Sequence, residues 1–316
     1  MPDSWRMIPE GTGRETGGMD PELEAFIPLF PRADLTDPVT ERKNLAALAA
    51  SIPPPDTSGM QIEDRLVPAE VDVPVRIYRP RDARGAIVWM HGGGWVMGDL
   101  ETEHPWAARL AESSGAVVVS VGYRLAPENP FPAALDDCYA VLGWAVEHAT
   151  ELGADPGRVA VGGHSAGGGL AAGIALRARD EQGPPICFQL LNQPGLDDRQ
   201  ETWSARTFTD TPWMNRDKVT AAWRHYLGSA PASPYAAPAR ADDLSGLPPA
   251  YIASAELCPS RDEDIEYALR LLRAGVSVEL HQWAGTFHGS QAILSVEVSQ
   301  RQIAELAAVL RRALAG

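Results

Sequence analysis

Residues 159–168 read Val159-Ala160-Val161-Gly162-Gly163-His164-Ser165-Ala166-Gly167-Gly168. An apolar strand candidate runs into a Gly-x-Ser-x-Gly motif (Gly163, Ser165, Gly167), and a small-residue helical stretch from Gly168 to Arg179 follows. Strand, sharp turn and helix in that order are what a nucleophile elbow requires. The turn forces the serine into a strained backbone region, so the residues two before and two after it must be small. Ser165 Oγ is then expected above the sheet, at the positive end of the following helix. The motif alone arises by chance; its flanks strengthen it, and the rest of the chain decides it.

Working outward, strand and helix patterns alternate from about residue 62. Apolar strand candidates are Val73–Arg79, Ala86–Met90, Ala116–Val121, Val159–Gly162, Ile186–Leu191, Ala250–Ala255 and Val276–His281. Helical patterns lie over His104–Glu112, Ala133–Glu151, Gly168–Gln182, Ile265–Ala274 and from about Ser295 to Ala313. Short apolar runs alternating with helices predict a mostly parallel sheet covered on both faces. No repeat of fixed period is visible. Upstream, residues 1 to about 18 are Gly-rich and polar and are expected to be mobile. Two helical pieces follow, from Pro21 and from Thr40 to Ala50, closed by Pro53-Pro54-Pro55. They are too short for a core of their own, and a lid over a site is one reading. The stretch 197–247 breaks the rhythm with Trp203, Phe208, Trp213 and Trp223. It reads either as loop packing or as a second lid element.

Composition narrows the function. The 316 residues, 45% hydrophobic, suffice for one large core. With 42 acidic against 27 basic residues the net charge is -15. That disfavours nucleic acid and anionic membrane surfaces and suits neutral substrates. Cys138, Cys187 and Cys258 form neither a disulfide framework nor a zinc pattern, so no metal is expected. The N-terminal residues lack a signal-peptide pattern, and no run approaches the ~20 apolar residues of a membrane span. A cytoplasmic protein is expected.

Two further motifs carry chemistry. His91-Gly92-Gly93-Gly94-Trp95 follows the strand Ala86–Met90. Glycines at a strand end let backbone N–H groups approach a ligand, as the oxyanion of an acyl-transfer intermediate demands. With Ser165 downstream, the N–H of Ala166 is the third donor. The other readings, a plain glycine turn or a phosphate loop, lack the helix start and the Lys that a phosphate loop brings. His91 is expected to orient the loop. Gly285-Thr286-Phe287-His288-Gly289 follows the last strand candidate, where a histidine on a loop can reach the serine as general base. The remaining histidines, His164 among them, read as structural or surface residues.

In these pieces the chain resembles the hormone-sensitive-lipase branch (bacterial family IV) of the α/β-hydrolase esterases. The matching segments are His91–Trp95, Tyr123-Arg124-Leu125-Ala126-Pro127-Glu128, Phe131-Pro132-Ala133-Ala134, Gly163–Gly168 and Phe287-His288-Gly289, in the family's order. The resemblance covers residues from about 70 to the end. It implies the α/β-hydrolase fold, a mostly parallel sheet with helices on both faces and a helical cap. It also implies Ser165 as nucleophile, His288 as base, and Gly93, Gly94 and Ala166 N–H groups as oxyanion hole. The expected division is a cap segment at 1–55 and a catalytic domain at 56–316, with a second cap element at about 200–228. Arg124 and Glu128 are expected to pair and hold their loop.

Two departures stand out. His164 precedes the serine where the family has Asp or Thr. The family's triad acid aligns with Cys258, within Ala255-Glu256-Leu257-Cys258-Pro259-Ser260-Arg261-Asp262. A thiol is a weak, normally uncharged acceptor. Either activity is low or another carboxylate substitutes. Asp262 and Glu256 are the leading candidates: Glu256 lies on the same face as Cys258 if the strand continues, and Asp262 lies where a helix begins. Asp197 and Asp198 follow the preceding strand.

The expected function is hydrolysis of short- to medium-chain acyl esters of small molecules by a serine carboxylesterase needing no cofactor. The alternatives are a ligand-binding or catalytically weakened protein on the same scaffold, which Cys258 favours, and a related lactone or amide hydrolase. The last strand and helix offer a place for a homodimer, which no residue requires.

Overall fold

A computed structural model describes residues 18–29 and 33–315; the expected mobile N-terminus falls, but for Gly18, outside them. Eight strands, β1 (Met60–Val67), β2 (Val73–Pro80), β3 (Ala86–Met90), β4 (Val117–Val121), β5 (Val159–His164), β6 (Gln189–Asn192), β7 (Ala250–Leu257) and β8 (Val278–Phe287), form one sheet in the order β1-β2-β4-β3-β5-β6-β7-β8. β2 is antiparallel to β1 and β4; from β4 to β8 every pairing is parallel.

The described helices are α1 (Pro21–Glu24), α2 (Pro38–Ser51), α3 (Leu100–Ser114), α4 (Ala133–Glu147), α5 (Ala149–Leu152), α6 (Ala166–Asp180), α7 (Trp203–Thr207), α8 (Arg216–Leu227), α9 (Arg261–Arg273) and α10 (Glu297–Ala315). The sheet is buried on both faces. Ala86, Val88 and Met90 of β3 join a core with α4, α6 and α9, while Ile87 and Trp89 join a second core with α3 and α10. Successive side chains of a strand point to opposite faces, so a continuous apolar run serves two cores at once.

The differences from the sequence reading have local causes. β1 carries one buried side chain, Val67, and so shows no apolar pattern; its ladder to β2 makes it a strand. α3 starts earlier than its apolar pattern, at Leu100, because Asp99 and Thr102 form a reciprocal capping box. β8 runs six residues past His281, to Phe287. The insertion 197–247 holds α7 and α8; Tyr226 of α8 stacks on Trp95 and Trp223 packs tilted against it, each with centroids 4.4 Å away. Residues from both expected cap segments meet at Gly94, where an added Cβ would lie 3.1 Å from Ala222 and 3.5 Å from Leu35.

Register sets the site. β3 and β5 pair up to Met90 and Gly163, so the chain leaves both strands side by side into the glycine loop and the serine turn. β7 and β8 pair last at Leu257 and Phe287, beyond an irregularity between Ala255 and Leu257. Cys258 and His288 are therefore the next residues on adjacent strands.

Candidate active site

Ser165 sits at φ 55° and ψ −122°, between the end of β5 and the first residue of α6. Close approach explains its small neighbours. A Cβ on Gly163 would lie 2.5 Å from Met90 O, and one on Gly167 would lie 2.1 Å from that same carbonyl. The backbone of the turn is pressed against the end of β3, and any side chain there would drive them apart. Ser165 O accepts from Gly169 N and Gly195 N, and Ser165 N donates to Asn192 O, which holds the strained residue from both sides.

His288 Nε2 lies 2.8 Å from Ser165 Oγ. The imidazole is buried, and burial pushes its pKa down to about 4, with His164 contributing. The imidazole is neutral throughout the physiological range. Gly289 N donates to Gln193 Oε1 at 2.9 Å, fixing the loop just after the histidine.

The glycine loop lies beside the serine. Gly93 has φ 115°, and a Cβ on it would overlap Met97 O at 2.1 Å. Gly93 O accepts from Val96 N and Met97 N, so the loop closes as a turn. Among the described residues the N–H groups of Gly93, Gly94 and Ala166 meet no recorded protein acceptor. The Ala166 N–H is the first of α6, one of the donors that a helix leaves without an internal partner. His91 is buried, stacks on Tyr123 at 4.1 Å, and has Nδ1 2.7 Å from Gly92 O; the Tyr123 hydroxyl donates to His91 O at 2.8 Å. It braces the loop.

The sequence pattern of the α/β-hydrolase fold family matches residues 87–292. The chain belongs to this family. Its relatives include carboxylesterase NlhH of Mycobacterium tuberculosis, 41% identical over 285 residues, covering 86% of this chain and 88% of the relative. Esterase LipI of the same organism is 44% identical over 241 residues, covering 72% and 75%. Among solved structures, a bacterial heroin esterase superposes with a TM-score of 0.89 at 44% identity, covering 94% of this chain and 98% of the other. The motifs place the chain in the hormone-sensitive-lipase branch of the α/β-hydrolases.

The acid position of this α/β-hydrolase is where the two leading carboxylate candidates must be corrected. Cys258 Sγ, 1% exposed, lies 3.1 Å from His288 Nδ1. Burial pushes the thiol up to about 12, with Asp264 adding to the shift. Glu256 does not meet the histidine: β8 advances from Trp283 to Phe287 while β7 advances only from Ala255 to Leu257, and Glu256 turns to this bulge of β8. Its Oε2 accepts from Gly285 N at 2.7 Å instead. Asp262, in the first turn of α9, accepts from Ser204 N at 2.9 Å and pairs with Arg261 at 2.8 Å. Asp197 is paired with Arg199 and Asp198 with Arg240. The expected Arg124–Glu128 pair does not form either: Arg124 binds Asp137 at 2.7 Å, and Glu128 binds Arg42.

Two residues around the site, Arg42 and Glu103, gave no sequence signal. Arg42 of α2 donates to Val96 O at 2.6 Å, to Ala126 O at 2.8 Å and to both oxygens of Glu128. A single arginine in a helix carries no motif. His164 packs against the glycine loop, so closely that a Cβ on Gly92 would lie 2.4 Å from its ring. Its Nε2 lies 3.6 Å from Glu103 Oε2, and Trp89 Nε1 donates to Glu103 Oε1 at 2.7 Å. Burial pushes Glu103 up to about 7 and His164 down to about 4. Among the described residues no group of His, Cys, Asp and Glu side chains is placed to hold a metal ion, and no helix is long and apolar enough to cross a membrane.

Proposed function

We propose that this chain, a carboxylic ester hydrolase by kinship with those relatives, cleaves short- to medium-chain acyl esters of small molecules through an acyl-enzyme on Ser165. The observation that carries the reading is the 2.8 Å contact between Ser165 Oγ and a buried, neutral His288 Nε2. In the first half-reaction His288 takes the hydroxyl proton as Ser165 Oγ attacks the ester carbonyl. Negative charge develops on the carbonyl oxygen, and the N–H groups of Gly93, Gly94 and Ala166 are its stabilising donors. His288 then gives the proton to the leaving alcohol. Water repeats the sequence on the acyl-enzyme, with the serine leaving. The proton of Ser165 leaves with the alcohol and one from water replaces it, so Ser165 and His288 end as they began; nothing is oxidised or reduced, and the reading calls on no cofactor.

The aromatic packing of Trp95, Trp223 and Tyr226 and the acidic net charge support a neutral, modest-sized substrate. Cys258 at the acid position favours a second reading, a ligand-binding protein with vestigial catalysis. Hydrolysis of p-nitrophenyl acetate, butyrate and octanoate by the purified protein and by Ser165→Ala separates the two. Turnover that peaks at short to medium chains and vanishes in Ser165→Ala supports the esterase. No turnover above Ser165→Ala on any of the three esters overturns the esterase reading for these chain lengths.

A further inference from the structure

A thiol at the acid position creates a difficulty that a carboxylate does not. An ionised carboxylate only accepts, so a ring nitrogen facing it must carry the proton; a thiol can donate or accept. Cys258 keeps its proton at neutral pH, because burial holds its thiol near 12. Two proton arrangements therefore fit the 3.1 Å between Cys258 Sγ and His288 Nδ1. In one, Nδ1–H donates to sulfur and the bare Nε2 accepts from Ser165. In the other, S–H donates to Nδ1, the ring proton moves to Nε2, and the imidazole can no longer take a proton from the serine.

Ser260 lies in a position to choose between them. Its Oγ is 3.1 Å from the same sulfur, and the residue is 8% exposed. Ser260 immediately precedes α9 at the capping position, where a serine hydroxyl ordinarily accepts from an N–H two or three residues ahead. It makes no such capping bond. The hydroxyl leaves its helix uncapped and faces Cys258.

We propose that Ser260 is a positioning residue for His288: its hydroxyl accepts the Cys258 S–H, which leaves the sulfur lone pair to Nδ1–H and holds the imidazole in the tautomer whose bare Nε2 faces Ser165. The chain of bonds runs Ser165 O–H to Nε2, Nδ1–H to Sγ, and S–H to Ser260 Oγ, and carries no net charge. This rests on the reading of Ser165 and His288 as nucleophile and base. It replaces the charge of the usual acid with direction: the sulfur stabilises an imidazolium weakly, yet it still fixes which nitrogen is free.

The test reads the tautomer itself. Long-range 1H–15N spectra of 15N-histidine-labelled protein, with His288 assigned from His288→Asn, are recorded for the wild type and Ser260→Ala near neutral pH. The wild type is expected to show the Nδ1–H form and Ser260→Ala a shift toward Nε2–H. An unchanged tautomer in Ser260→Ala overturns the proposal whether or not the protein hydrolyses esters. The kinetic arm is a cycle with Cys258→Asp. Ser260→Ala alone should lower kcat by roughly one to three orders of magnitude with KM little changed, within the ~10⁴ that a wrong histidine tautomer costs a serine protease. In the Cys258→Asp background the same change should cost less than about threefold, since a carboxylate cannot donate. Equal costs in both backgrounds would mark Ser260 as merely structural. If Cys258→Asp does not fold, the spectra of the first two proteins decide alone.

Discussion

Arg42→Ala is expected to damage catalysis from outside the pocket, and its size follows from which bonds are lost. The guanidinium makes two kinds of contact. Its pair with Glu128 is open to water, the two side chains being 28% and 50% exposed, and such pairs contribute about 0–1 kcal/mol. Its bonds to Val96 O and Ala126 O are part-buried and charge-assisted, and each such bond is worth about 1.5–3 kcal/mol. Val96 closes the turn on Gly93 O, so its carbonyl is tied to the loop that carries the proposed Gly93 and Gly94 donors. Loss of one oxyanion donor outright costs about 10²–10³ in kcat. Loosening the loop without removing a donor should cost less, about 10–100-fold, or roughly 1.4–2.7 kcal/mol. KM for p-nitrophenyl butyrate should change less than about threefold, because the donors matter most once charge develops. Glu128→Gln keeps an acceptor and loses only the exposed pair, so kcat should stay within about threefold of the wild type. Steady-state kinetics on the three proteins, with melting curves beside them, decide the matter. Arg42→Ala with kcat within twofold of the wild type, or Glu128→Gln as damaging as Arg42→Ala, would refute the coupling of α2 to the oxyanion loop.

Three other outcomes follow from the same structure. His288, pushed down to about 4, is a base above that pH, so kcat/KM on an uncharged ester should stay level from pH 8 to about pH 5 and fall on approaching 4; an acidic limb centred near 6.5 would contradict the burial argument. Glu103, raised from 4.5 to about 7, is protonated in the fold below 7 and charged there at a cost above it, so its contribution to stability is full below about 4.5 and is lost as pH rises through 7. Glu103→Gln should therefore gain up to about 3 kcal/mol on the wild type at pH 8 and little at pH 4.5, and a melting-temperature difference that does not grow with pH would show the carboxyl to be uncharged or well solvated. Gly167→Ala should lower the melting temperature by roughly 5–10 °C, from overpacking of about 3 kcal/mol against Met90 O at 2.1 Å, and a normal melting curve would mean that the turn can shift.

What the sequence determined on its own is the part of the site whose chemistry is local. A serine at φ 55° needs small neighbours two residues away on each side, and that demand is written in five consecutive residues. The same holds for His91–Trp95, where close backbone approach demands glycine, and for the histidine loop after the last strand. The alternation of buried strands and helices likewise reports the two-sided sheet, because burial on both faces leaves no polar positions in a strand such as β3. Tertiary structure alone decided the partners of charged and bulged residues. Whether Glu256, Asp262 or Cys258 meets His288 depends on a bulge in β8, between Trp283 and Phe287, that shifts its pairing with β7, and no side-chain pattern announces it. Arg42 reaches Glu128 across 86 residues of chain, and Glu103 meets His164 only because α3 packs where β5 ends. A charged side chain finds its partner through the fold, whereas a tight turn is dictated by the residues that make it.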